Sequence, residues 1–127
     1  MDLQEQPSLA TDWLRVTTAQ SVNAIDLTLP ESLDSDAFNL LNESMLKTVS
    51  HDADGRWVLD LSSVNYMGSS VLGLLINVRQ RIKSAGGRLA LCGLSPRLTQ
   101  IFHTCCLEKL FTITVTRPEA IRAMGGR

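Results

Sequence analysis

Cysteine is scarce and odd in number: three residues in 127, Cys92, Cys105 and Cys106, two of them adjacent. That is no disulfide framework, and it fits a reducing compartment. An excess of positive charge is missing too. Lys and Arg number 12 against 13 Asp and Glu, for a net charge of −1, which speaks against direct nucleic-acid binding through a broad basic face. The opening MDLQEQPSLATD has neither a basic start nor an apolar stretch, so no secretory signal is read there. The longest apolar run, Val71–Ile76 and on across Asn77 to Val78, falls far short of a bilayer span and meets Arg79 and Arg81. No membrane insertion is expected, and the cytoplasm is the expected location. Internal repeats, low-complexity tracts and linkers are also lacking.

What is present is an ordinary globular composition, 44% hydrophobic and 20% charged, at a length that supports one core. Residues 1–12 read as a flexible N-terminus and 13–127 as a single domain. LRVTTA (14–19) and VNAIDLTL (22–29) read as strands of a hairpin turning at Gln20-Ser21, closed by Pro30. From 32 to 49 the period changes to that of a helix. Leu33, Ala37, Leu40, Leu41, Ser44, Met45 and Thr48 share one face, and Asp34, Ser35 and Asp36 are candidate caps. After the turn Asp52–Gly55, RWVLDL (56–61) is apolar nearly throughout, as a strand covered on both faces must be. A helix over 69–85 places Val71, Leu74, Leu75, Val78, Ile82 and Ala85 at spacings of three and four, and Gly86-Gly87 stops it. RLALC (88–92) is the next strand, so the strand–helix–strand unit must be parallel.

Ser95 and Pro96 open a helix predicted over 95–110, with Leu98, Ile101, Phe102 and Cys105 on its buried face. FTITVT (111–116) is a short strand, and PEAIRAM (118–124) a last helix with Glu119 in its first turn. The fold class is therefore α/β: one domain with a mixed sheet, an N-terminal hairpin plus parallel strands, and helices mainly on one face.

The chemistry centres on Gly68-Ser69-Ser70, where a strand gives way to the long helix. Hydroxyls at such a start admit three readings. One is a helix cap. Another is a phosphorylation site, because a phosphate adds about −1.5 to −2 charges and unpaired N–H groups at a helix start suit it. The third is a nucleophile, for which the surrounding residues are wrong. Gly68-Ser69-Ser70-Val71-Leu72-Gly73 is not a Gly-x-Ser-x-Gly elbow, and neither His51 nor His103 is placed as a base. No enzyme is expected. His103 and Cys105, two apart, point to different helix faces and have no second ligand pair, so no metal is expected. Cys92 reads as a small apolar filler. Gly86-Gly87-Arg88-Leu89 lacks the Gly-Lys-Ser/Thr ending of a phosphate loop. No cofactor is expected. Arg79, Arg81 and Lys83 read as the solvent side of the long helix, a face available for docking.

The run from Val58 to Phe102 resembles the STAS domain family, and within it the bacterial anti-sigma-factor antagonists. The resemblance rests on Asp60, Leu61, Ser62, Val64, Met67, Ser69, Ser70, Leu72 and Gly73, then Gly86, Gly87, Ser95 and Pro96, with Leu33-Asp34 upstream, and covers residues 13–124. It implies a binding switch. The unphosphorylated domain captures an anti-sigma factor that is a serine kinase and so releases a sigma factor. The kinase phosphorylates the first serine of the pair, and a PP2C-type phosphatase resets it. Carried over, the acceptor is Ser69, with Ser70 as the lesser choice, and the docking surface comprises Asp34, Gly68, Ser69, Ser70, Val71 and Arg79.

Two positions depart from the family pattern: Gly68 replaces an acidic residue, and Val71 replaces a glycine. Gly68 is expected to ease phosphate accommodation, to remove a possible kinase contact and to alter the turn. Val71 is expected to narrow the approach to Ser69. The alternative role is a STAS scaffold or regulatory subunit of a signalling complex or transport system, with no phosphoswitch.

Overall fold

A computed structural model describes residues 13–30 and 32–125. The expected flexible segment 1–12 lies outside the described residues. Strands Leu14–Ala19 (β1) and Val22–Leu27 (β2) pair antiparallel. Gln20 and Ser21 between them both take positive φ, 54° and 64°, the two-residue turn whose twist suits a hairpin. β2 was expected to reach residue 29, but its ladder ends where Leu27 meets Leu14, the first residue of β1.

Helix Ser35–Ser50 (α1) follows, then strand Arg56–Asp60 (β3), helix Ser69–Ser84 (α2) and strand Arg88–Cys92 (β4). Helix Pro96–Thr104 (α3), strand Thr112–Thr114 (β5) and helix Arg117–Gly125 (α4) complete the chain. The five strands lie in sequential order, with β2 to β5 parallel.

Alternation along the central strands builds two cores. On the front face Ile25, Leu27, Trp57, Leu59 and Leu91 meet Leu41, Met45 and Val49 of α1, Leu74, Leu75, Val78 and Ile82 of α2, and Leu98 and Phe102 of α3. On the back face the smaller Ala24, Val58, Ala90 and Cys92 meet Ala120 and Met124 of α4, with Ile121 packed against them. Small residues there let one helix lie close. The helices are thus mainly on one face, and both faces of β3 are covered, as its unbroken apolar run requires.

Some local expectations are corrected. Leu40 is 37% exposed, because α1 buries the row Leu41, Met45, Val49 instead. The helix predicted over 95–110 stops at Thr104. Cys106 is left-handed at φ 59°, and Leu107–Lys109 continue as a 3-10 turn that buries Leu107. Cys105, expected on the buried face, is exposed beyond the helix end. The stop after α2 is as read: Gly86 has φ +89°, and Gly87 N–H returns to Ile82 O at 2.8 Å. A Cβ on Gly87 would fall 2.3 Å from the Ala53 carbonyl.

Candidate functional site

β2 and β3 are parallel neighbours, so the loops leaving their C-terminal ends emerge side by side. Open α/β sheets characteristically bind partners at this edge. The β2–α1 loop ends at Asp34, which caps α1 by accepting the Ala37 N–H at 2.8 Å. The structure thus selects Asp34 from the three cap candidates.

The β3–α2 loop, residues 61–68, is pinned by Leu61, Val64 and Met67, each at most 3% exposed. Between these anchors Ser63, Asn65 and Tyr66 are exposed. With Leu29, Pro30 and Leu33 from the other loop they line a groove of about 670 Å³. Tyr66 is 55% exposed, and the Arg97 guanidinium lies 5.0 Å from its ring centroid. Such a stack contributes about 0.5–1 kcal/mol at an exposed site.

Gly68 is the N-cap of α2, and no side chain caps the helix. Ser69 and Ser70 are its first two residues, both exposed and both on the groove. The capping reading of the serine pair is therefore not what the structure has. The first intrahelical bond runs from Leu72 N–H to Gly68 O, so the N–H groups of Ser69, Ser70 and Val71 precede it. No acidic residue stands in that first turn. This end of the helix presents positive potential beside two hydroxyls.

Both departures from the family pattern look different in three dimensions. Gly68 has φ −84° and ψ 178°, extended backbone that any residue adopts, and a Cβ there would meet nothing within 4 Å. The turn as it stands does not need glycine at this position. Val71 is 3% exposed and sits in the front core. Its branch is used in core packing, and the residue also lines the groove beside Ser69.

The structure brings Asp34, Ser70 and Leu33 together around a second, smaller recess of about 210 Å³ beside the groove. It does not bring Arg79 to this surface. Arg79 lies ten residues along α2, roughly 15 Å at about 1.5 Å per residue. Its Nε donates to the Leu110 carbonyl at 2.5 Å and so ties the helix to the segment before β5. Arg81 turns to the opposite flank and donates to Ser50 Oγ at 3.1 Å.

Sequence reasoning did not single out the charged network behind the same sheet edge. Arg117 Nη1 donates to Asp26 and, at 3.2 Å, to Asp60, while Nη2 donates to Thr17 Oγ1 at 2.9 Å. Asp60 Oδ1 accepts from Ser62 N–H at 3.0 Å and Ser62 Oγ at 2.6 Å. Burial alone would raise the Asp60 carboxyl. The hydrogen bonds from Ser62 and the Arg117 guanidinium outweigh it and hold the group below its ordinary value. Burial pushes the neighbouring Cys92 thiol up to about 12, with the Asp60 charge adding to it.

A sequence signal was available for the position of Arg117, though not for its partners. Thr116-x-x-Glu119 is a capping box: Thr116 Oγ1 accepts from Glu119 N–H, and Glu119 Oε1 accepts from Thr116 N–H, at 3.3 and 3.2 Å. It places Arg117 at the first turn of α4. Among the described residues, no three His, Cys, Asp or Glu side chains gather as a metal site. No helix there is long and apolar enough to cross a membrane.

A single sheet with an exposed serine pair at the rim of a loop-built groove defines a small binding domain. The family can be stated more closely. The STAS domain model matches residues 15–120, and the chain belongs to that family. The anti-sigma-B factor antagonist of Bacillus subtilis (strain 168) is 29% identical over 101 residues, 80% of this chain and 91% of that protein. An anti-sigma-factor antagonist (STAS) domain protein from Planctomyces limnophilus superposes with a TM-score of 0.77 at 26% identity, covering 89% of this chain and 98% of that one. SpoIIAA in its unphosphorylated form shares the fold, with a TM-score of 0.68 at 19% identity over 90% of this chain and 97% of its own.

Proposed function

We propose that this protein is an anti-sigma-factor antagonist, a binding switch that captures an anti-sigma factor with serine kinase activity through the groove at the β2 and β3 loop ends. Phosphorylation of Ser69 by that partner ends the capture, a sigma factor being free only while the capture lasts. A PP2C-type phosphatase restores the binding form. The observation that carries the reading is the placement of Ser69: exposed, at the first position of α2, on the groove rim, with its hydroxyl free of capping duty.

The physical case is one of charge and place. The groove walls are apolar where Leu29, Leu33, Tyr66 and Met67 meet, so docking there removes apolar surface from water. A phosphate on the rim adds about −1.5 to −2 charges to that surface. The unpaired N–H groups at the start of α2 are suited to bear it without unfolding the helix. Asp34 and Ser70 complete the rim on the α1 side. Gly68 removes one acidic neighbour of the phosphate, which lowers the repulsion it meets.

The test is incubation with ATP, Mg²⁺ and the partner kinase, followed by intact-mass measurement and peptide mapping. One phosphate on Ser69 is expected. Ser69→Ala is expected to keep partner affinity and take up no phosphate, and Ser69→Asp to bind at least about tenfold more weakly, a difference of about 1.4 kcal/mol. Equal binding by both variants would sink the switch and favour an unregulated STAS scaffold.

A further inference from the structure

Among the described residues, Asp60 is the charged side chain that the fold buries, at 8% exposure. It lies directly opposite Asp26 in the β2–β3 register. Two carboxylates so placed repel one another, and Arg117 Nη1 donates to both. Arg117 and Asp26 are only part-buried, their side chains 28% and 39% exposed, and ion pairs open to solvent add little net stability. The burial of Asp60 carries a desolvation cost that offsets its attraction. Apolar side chains would seat α4 at least as well, as Ala120 and Met124 already do a turn or two further along. Holding α4 therefore does not explain these charges.

What an apolar trio could not supply is an aimed acceptor. The Asp60 carboxylate has two oxygens with separate tasks. Oδ2 faces Arg117, whereas Oδ1 accepts both the N–H and the hydroxyl of Ser62. Ser62 is the second residue of the turn Leu61–Val64, closed by Val64 N–H to Leu61 O at 2.9 Å. An aspartate bonded to the backbone two residues on stabilises such a turn. That turn starts the loop that ends at Gly68 and Ser69. Gly93, at φ +73°, completes the enclosure: a Cβ there would fall 2.3 Å from Ser62 Oγ and 2.9 Å from Asp60 Oδ1.

We propose that Arg117, Asp60 and Ser62 form a positioning relay that links the seating of α4, behind the sheet, to the geometry of the loop carrying the Ser69 rim in front. Arg117 fixes the orientation of the Asp60 carboxylate, the carboxylate fixes the 61–64 turn, and the turn sets where Ser63 and Tyr66 stand in the groove. The capping box at Thr116 and Glu119 holds Arg117 in register. A contact that shifts α4 is then read at the docking loop. The relay's importance for partner capture rests on the function proposed above; the positioning itself does not.

The test is amide hydrogen exchange on the full chain, with no partner present. In Arg117→Ala the Ser62 and Val64 amides should exchange at least about tenfold faster, the lower end for loss of a charge-assisted hydrogen bond. The amides of Met45 in α1 and Val78 in α2 should keep their rates, and Arg117→Lys should restore part of the loop protection. Asp60→Asn, of equal size and without the charge, should give the same local pattern at smaller amplitude, and serves where Arg117→Ala does not fold. Unchanged Ser62 and Val64 rates in either variant overturn the relay, as does equal acceleration at all sites, which would mean general destabilisation. A Ser69 that takes no phosphate would overturn the switch but leave this local exchange pattern standing.

Discussion

At the scale of single residues, the exposed serines and the buried aspartate stand in opposite settings for charge. Ser69 and Ser70 are exposed and uncommitted, so a phosphate changes the surface and not the core. Asp60 is the reverse case. Its carboxyl titrates below the ordinary value, because the Ser62 and Arg117 hydrogen bonds overcome the cost of burial. The unfolded chain therefore binds this proton first, near pH 4, the ordinary value being about 3.9. The stabilisation Asp60 provides is complete above that pH and is lost as pH falls through its depressed native value. Urea unfolding from pH 6 down to pH 2 should show stability declining below about pH 4, with a shallower decline in Asp60→Asn. An identical slope in the variant would assign the acid sensitivity elsewhere. Ser69 was legible as a helix start because Gly-Ser-Ser opens the apolar period of α2, and the family resemblance singled it out within the pair. Asp26 and Arg117 were not. Their partnership spans 91 positions, and no local pattern encodes so distant a meeting.

At the scale of elements, caps and turns explain most of the boundaries. Asp34 starts α1, Ser95 and Pro96 start α3, and the Thr116–Glu119 box starts α4. α2 alone among these begins without a side-chain cap. Gly68 has room for a Cβ and an extended backbone, so Gly68→Asp should supply the missing cap. The expected gain is a few tenths of a kcal/mol, roughly the difference between Asp and Gly at an N-cap, read as a small rise in thermal midpoint. A fall would mean that the added carboxylate is repelled at the groove rim. The helix predicted over 95–110 was too long because its apolar spacing continues past Thr104 to Leu107. The left-handed Cys106 breaks the helix while still burying Leu107. Non-glycine residues adopt that conformation only at a cost, which periodicity does not reveal.

At the scale of the whole molecule, the sheet has a thick front and a thin back. Among the described residues, three helices cover the front and α4 alone covers the back. Met124→Ala removes a large side chain from that small cluster and should cost about 2–5 kcal/mol, measured by denaturant unfolding. A loss below about 0.5 kcal/mol, within the range of ordinary surface substitutions, would show that α4 is not seated by this contact. The sequence by itself determined the α/β class, the hairpin, the parallel unit around β3, α2 and β4, and the exposed serine pair. Each follows from local periodicity, turn chemistry or the length a parallel crossover demands. Only the tertiary structure decided that Arg79 is tied to Leu110 away from the groove, that Val71 packs inward, and that Arg117 meets Asp26 and Asp60. Those outcomes depend on which faces of distant elements are pressed together, and a helix or strand read alone fixes its faces but not what they meet.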